Sequence, residues 1–135
     1  MKMGLIAAGA ALAVLLGLGA CSANAQSLGE EEYMTTCASC HGASGVGDGP
    51  MAQLMTVPLP DLTQISANND GQFPMLQVIQ IIDGRTGVRG HGYPMPIWGA
   101  RFQAEAREYV GLYGSEMITR GRILILAEYL ESIQQ

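Results

Sequence analysis

Gly29-Glu30-Glu31-Glu32-Tyr33-Met34-Thr35-Thr36-Cys37-Ala38-Ser39-Cys40-His41-Gly42 is the stretch on which the fold turns. On a helix, Cys40 lies three residues and His41 four residues beyond Cys37, so all three side chains emerge on one face. Two thiols so placed can add to the two vinyl groups on one edge of a porphyrin while the imidazole reaches the iron at its centre. Cys-x-x-Cys-His is accordingly the pattern of covalent haem attachment. Three other chemistries compete for the cysteines. A thioredoxin-like redox pair belongs to a βαβ pattern that this chain lacks. Half of a zinc site would leave only His91 as a further nitrogen or sulfur ligand of the usual kind. A disulfide across a two-residue gap makes a strained ring. None of the three explains a histidine directly after the second cysteine.

Outward from the motif the chain reads as helical, with long glycine-rich connections. Ser27-Leu28-Gly29-Glu30 fits a capping box, and Glu30, Glu31 and Glu32 set negative charge on the positive end of a helix dipole. A helix from about Glu30 to Cys40 is predicted. Residues 42 to 74 hold Gly42, Gly45, Gly47, Gly49, Pro50, Pro58, Pro60 and Gly71, too much turn chemistry for a long regular element. This is a wrapped loop. A short second helix is predicted after Pro74, with Leu76, Ile79 and Ile82 at helical spacing and Asp83-Gly84 ending it. From Ser115 onward Ile123, Leu126, Ala127, Leu130 and Ile133 follow the amphipathic template of a C-terminal helix.

The N-terminus reads as an export signal. Leu5 to Leu18 contains no charged residue and follows Lys2, and it is too short to span a bilayer, so no transmembrane helix is expected. Two processing sites overlap. Ala23-Asn24-Ala25 would release a chain starting at Gln26, giving residues 1–25 as signal and 26–135 as the single functional domain. Leu18-Gly19-Ala20-Cys21 resembles a bacterial lipobox, which would make residues 1–20 the signal and Cys21 a diacylated N-terminus. A chain from Gln26 keeps six arginines against 12 carboxylates, a formal charge of −6. Lys2 is the only lysine, and the arginines form no run. Nucleic acid is therefore not an expected partner.

The chain resembles the small bacterial class I cytochromes c. Gly29, Tyr33, Cys37, Cys40, His41 and Gly42 reproduce that family's signature, although Glu32 stands where the family usually has an apolar residue. Gly45-Val46-Gly47-Asp48-Gly49-Pro50 and Pro58-Leu59-Pro60-Asp61-Leu62-Thr63 resemble its wrapped loop. Leu126-Ala127-Glu128-Tyr129-Leu130 resembles its C-terminal helix, which packs across the N-terminal one. The resemblance implies an all-α class I cytochrome c fold, three to five short helices around one covalently bound haem c per chain, with Cys37 and Cys40 as the attachment sites.

For the iron, His41 is one axial ligand. Met34, Met51, Met55, Met75, Met95, Met117 and His91 are the candidates for the other. Methionine is by default a gap filler, but Met95 lies in Gly90-His91-Gly92-Tyr93-Pro94-Met95-Pro96-Ile97-Trp98-Gly99, where two prolines hold the backbone extended. The resemblance carries the distal-ligand motif onto Met95, Pro96 and Trp98. Met75, just before a predicted helix, is expected to face the core. Arg85 and Arg89 are candidates to pair with haem propionates, and Trp98 to donate its indole N–H to one or to pack against the porphyrin. With His41 and Met95 on the iron, no open site remains for substrate. The expected function is a periplasmic one-electron carrier, not an enzyme, working between a redox protein donor and acceptor in a respiratory or dehydrogenase complex. Two other classes are a lipid-anchored haem subunit tethered at Cys21, its only membrane attachment, and a haem peroxidase or gas-binding protein.

Overall fold

The computed structural model describes residues 27–88 and 95–135. Helix α1 covers residues 27–36, α2 runs Ala38–His41, α3 Met75–Asp83 and α4 Trp98–Ser132. Short 3-10 turns at Ala52–Leu54 and Leu62–Gln64 punctuate the wrapped loop. No strand occurs among the described residues. The expected export signal with Cys21, and Arg89 and His91, lie outside the described residues.

The predicted helix 30–40 is in fact two. The hydroxyls of Thr35 and Thr36 donate back to the carbonyls of Glu31 and Glu32, a contact that bends helices, and Cys37 turns at φ −114° before α2 begins. α3 ends where expected, on Gly84 at φ 65°, a left-handed cap that glycine adopts without steric penalty. Its buried face is Val78 and Ile82, with Met75 and Ile79 packed alongside. Leu76 is instead 69% exposed, because it lies roughly 200° around the helix from Val78. α4 is broken at Gly111, with φ 69° and ψ −171°. The second arm carries the expected buried stripe of Ile123, Leu126, Ala127 and Leu130. The first arm, residues 98–110, is a helix that the apolar pattern does not announce, since Gly99 and Phe102 are its only buried residues.

α1 crosses the second arm of α4 backbone to backbone. A Cβ on Gly29 would collide with the Ile125 carbonyl oxygen and lie 2.8 Å from Tyr129 Cβ. One turn on, the Tyr33 and Tyr129 rings meet at 5.1 Å. Glu32 emerges beside this crossing, and Arg122 accounts for it. The Arg122 guanidinium donates to both Glu32 oxygens at 2.7 and 3.0 Å and to Glu105 at 2.7 Å, and lies 3.7 Å over the Phe102 ring. One cation thus joins α1 to both arms of α4. Arg122→Met should cost about 2 kcal/mol, read as a lower urea midpoint, because it leaves the largely covered Glu32 carboxylate without its cation. Adding Glu32→Met should recover most of that loss.

Candidate haem site

The loop after α2 closes back on its last turn. Gly42, Gly47, Gly49 and Met51 N–H groups donate to the carbonyls of Ala38, His41, Cys40 and Ser39 at 2.8 to 3.2 Å. These are the carbonyls a helix end leaves without partners. Glycine is required at Gly49, where a Cβ would sit 2.6 Å from the Cys40 and Ser39 oxygens. The Tyr33 hydroxyl donates to the Gly42 carbonyl at 2.7 Å, and burial raises its pKa above the usual tyrosine range. His41 is buried and its backbone is held from both sides.

Around this turn lie two cavities. The larger, about 410 Å³, is lined by Tyr33, Leu62, Ile65, Val78, Ile82, Leu126 and Leu130 among others. The smaller, about 190 Å³, is lined by Cys40, Met55, Leu59, Pro96, Trp98 and Arg101 among others. Cys37, His41 and Met95 line both. The N-terminal motif and the Pro-Met-Pro loop therefore deliver two thiols, an imidazole and a thioether to one apolar space. These are the donors a c-type haem takes, two sulfurs for the macrocycle edge and two ligands for the iron, so the residues fit the group. Cys37 and Cys40 are not joined by a disulfide. Burial pushes the Cys37 thiol up to about 11, the reverse of the lowered pKa that a Cys-x-x-Cys redox pair needs. Among the described residues no three His, Cys, Asp or Glu side chains gather as a metal-holding group.

Of the other predicted site residues, Trp98 lines the smaller cavity, packs on the core and stacks on Phe102 at 5.4 Å. Arg85 is placed apart from these cavities. Its guanidinium is taken up by Asp83 at 2.6 and 2.8 Å and by Glu116 at 2.6 and 3.3 Å. Asp83 stands two residues before it at the end of α3, so the local pair forms at little entropic cost. Hydrogen bonds from Arg85 and then Arg120 hold the Glu116 carboxyl down at about 2. That stabilisation is present above about pH 4.5, the ordinary glutamate value, and is lost as pH falls toward 2. The methionines also differ from the gap-filler expectation. Met75 packs on the core, but Met34, Met51 and Met117 are exposed, and Met55 faces the smaller cavity.

Arg101 is the residue that sequence reading missed. It follows Trp98 by one helical turn and lies 5.3 Å from the indole ring centre, a spacing that only the unannounced helix supplies. The family model for cytochrome c matches residues 26–111. The match holds the whole Cys-x-x-Cys-His motif and Met95 and ends at the break in α4, so Leu126 and Leu130 line the cavity from beyond it. No curated protein and no solved structure matches the chain.

Proposed function

We propose that this chain, which belongs to the cytochrome c family, is an exported periplasmic carrier of single electrons whose haem iron is held between His41 and Met95. Family membership makes it a haem-binding electron-transfer protein with covalently attached haem c. When bound, that haem supplies a one-electron iron couple. The observation that carries the finer reading is that His41 and Met95, 54 positions apart in the chain, line the same two cavities.

The chain's own residues do the rest. The hydrogen bonds that tie the loop to α2 fix the His41 backbone, which limits the rearrangement accompanying a change of charge. Pro96 stiffens the backbone next to Met95. Leu62, Val78, Ile82, Leu126 and Leu130 exclude water and disfavour the more highly charged ferric state, and methionine ligation raises the potential in the same direction. With His41 and Met95 both engaged, the iron would keep no place for substrate, and we read the chain as a carrier rather than an enzyme.

Met95→Ala tests this. The oxidised parent should show the weak far-red absorption of a thioether on low-spin ferric iron, and the variant should lose it, fall in potential and gain reactivity toward carbon monoxide. Loss of the band in Met55→Ala with its survival in Met95→Ala would move the ligand to Met55. Absence of the band from the parent would favour the peroxidase or gas-binding class. Intact-mass measurement tests export: a chain beginning at Gln26 is a soluble carrier, and one beginning at an acylated Cys21 is a tethered subunit.

A further inference from the structure

The second arm of α4 carries an apolar stripe besides the buried one. Tyr113, Met117 and Leu124 recur at i, i+4 and i+11 and share one side of the helix, roughly 130° around from the buried stripe. Tyr113 is 87% and Met117 76% exposed, and Leu124 is exposed as well. Just before the break at Gly111, Tyr109 at 84% and Val110 are also open to solvent. Tyr109 follows the fully buried Phe102 by two turns on the same face of the first arm, so this face runs on past the edge of the core. None of the five lines either cavity. At roughly 200 Å² for a whole large side chain, they expose roughly 650 Å² together. That exceeds the largest apolar patch of an ordinary monomer, about 300 to 600 Å².

Charge on the stripe is placed evenly about Leu124. Arg120 stands four residues before it and Glu128 four residues after it, which keeps all three on one side of the helix. Arg120 spends only its Nε on Glu116, at 2.7 Å, and among the described residues its other two guanidinium nitrogens donate to nothing. Glu128 is exposed and makes no ion pair among them.

We infer that this stripe is where a second copy of the chain binds, its α4 lying antiparallel across Leu124 on a two-fold axis. A two-fold contact needs a surface that complements itself. An axis at Leu124 sets Arg120 of each copy opposite Glu128 of the other, so one pairing is made twice. The second arms then overlap over most of their length, and the elbow at Gly111 of each copy reaches the C-terminal end of α4 in the other. Gly121, with open space where a Cβ would stand, lets the backbones come close. Two such faces bury roughly 1,300 Å², inside the range of about 1,200 to 2,000 Å² for stable specific interfaces. The formal charge of −5 on each chain opposes the encounter at long range, so the apolar stripe and the two Arg-to-Glu pairs select the partner. The inference does not depend on the electron-carrier reading, and it leaves both cavities of the pair uncovered by the stripe.

The test is sedimentation of the holoprotein, followed by its haem absorption. At about 100 μM, above the micromolar dissociation constants found at the weak end for interfaces near this size, the parent should sediment as two chains. Tyr113→Ser combined with Met117→Ser should sediment as one, with an unchanged visible spectrum. Arg120→Glu and Glu128→Arg should each weaken the pair about tenfold or more, because each sets like charges opposite one another. An equal mixture of these two variants should pair again, since both contacts in the mixed pair are then between Glu and Arg. A short bismaleimide should join Leu124→Cys to itself and should not join Leu76→Cys, which is equally open but lies on α3. A parent that sediments as one chain, a mixture that stays unpaired, or equal cross-linking at the two cysteines would overturn the inference. A single chain whose stripe instead binds phosphatidylcholine vesicles would also overturn it and give the face to a lipid surface. None of these outcomes bears on the axial ligands, so the carrier reading stands or falls separately.

Discussion

Cys37→Ala combined with Cys40→Ala should leave a polypeptide that carries no haem through denaturing electrophoresis and has lost most of its helical circular dichroism. The first half follows from attachment chemistry, since Cys37 and Cys40 are the two thiols that the motif offers for the covalent links. The second follows from volume. The larger cavity alone is about 410 Å³, and emptying apolar space costs about 24 cal/mol per Å³, which comes to roughly 10 kcal/mol. That is comparable to the whole stability of an ordinary domain, about 5 to 15 kcal/mol. The walls of the cavity, from Tyr33 through Val78 and Ile82 to Leu126 and Leu130, also make up much of the buried core. Haem is therefore a core component as well as a cofactor. Haem that extracts freely from the parent with acid would refute covalent attachment. A double variant that keeps its helical signal without haem would refute the volume argument.

Gly29→Val is the second change of large effect. The atom a Cβ would strike is a backbone oxygen, that of Ile125, with Tyr129 Cβ close behind. Neither can swing aside as the end of a long side chain would, so the two helices must separate. Overpacking of this kind costs about 3 kcal/mol, and the separation also strains the Tyr33 to Tyr129 contact and the Arg122 to Glu32 pair. Thermal unfolding of the holoprotein should shift downward by about 10 °C or more for a domain of this size. Gly29→Ala should show a smaller effect in the same direction. An unchanged melting temperature in Gly29→Val would mean that the helices do not cross here.

The site was legible in the sequence where chemistry depends on spacing within one element, and less so where it depends on which residues meet. Cys37, Cys40 and His41 are three and four residues apart, and the structure sets them around one space. The second arm of α4 was legible because Ile123, Leu126, Ala127 and Leu130 form an unbroken buried stripe. The first arm was not. Its polar, alanine-rich run buries only Gly99 and Phe102, too little for a periodic signal. Arg85 and Arg101 show the same limit for single residues. Both are arginines near the Pro-Met-Pro loop, yet Asp83 and Glu116 draw one away, while a helical turn sets the other on Trp98 at the cavity mouth. Glu32, which departs from the family pattern, needed Arg122 from 90 positions away to explain it.

The two sides of the larger cavity are also separated in time. A chain is made from its N-terminus, so Cys37 and Cys40 emerge more than eighty residues ahead of Leu126 and Leu130. Until those leucines arrive, the wall that they form is missing and the two thiols stand open to whatever machinery brings the porphyrin. Covalent capture can thus precede closure. In that order the C-terminal arm would fold over a group already in place, as a latch that sets last.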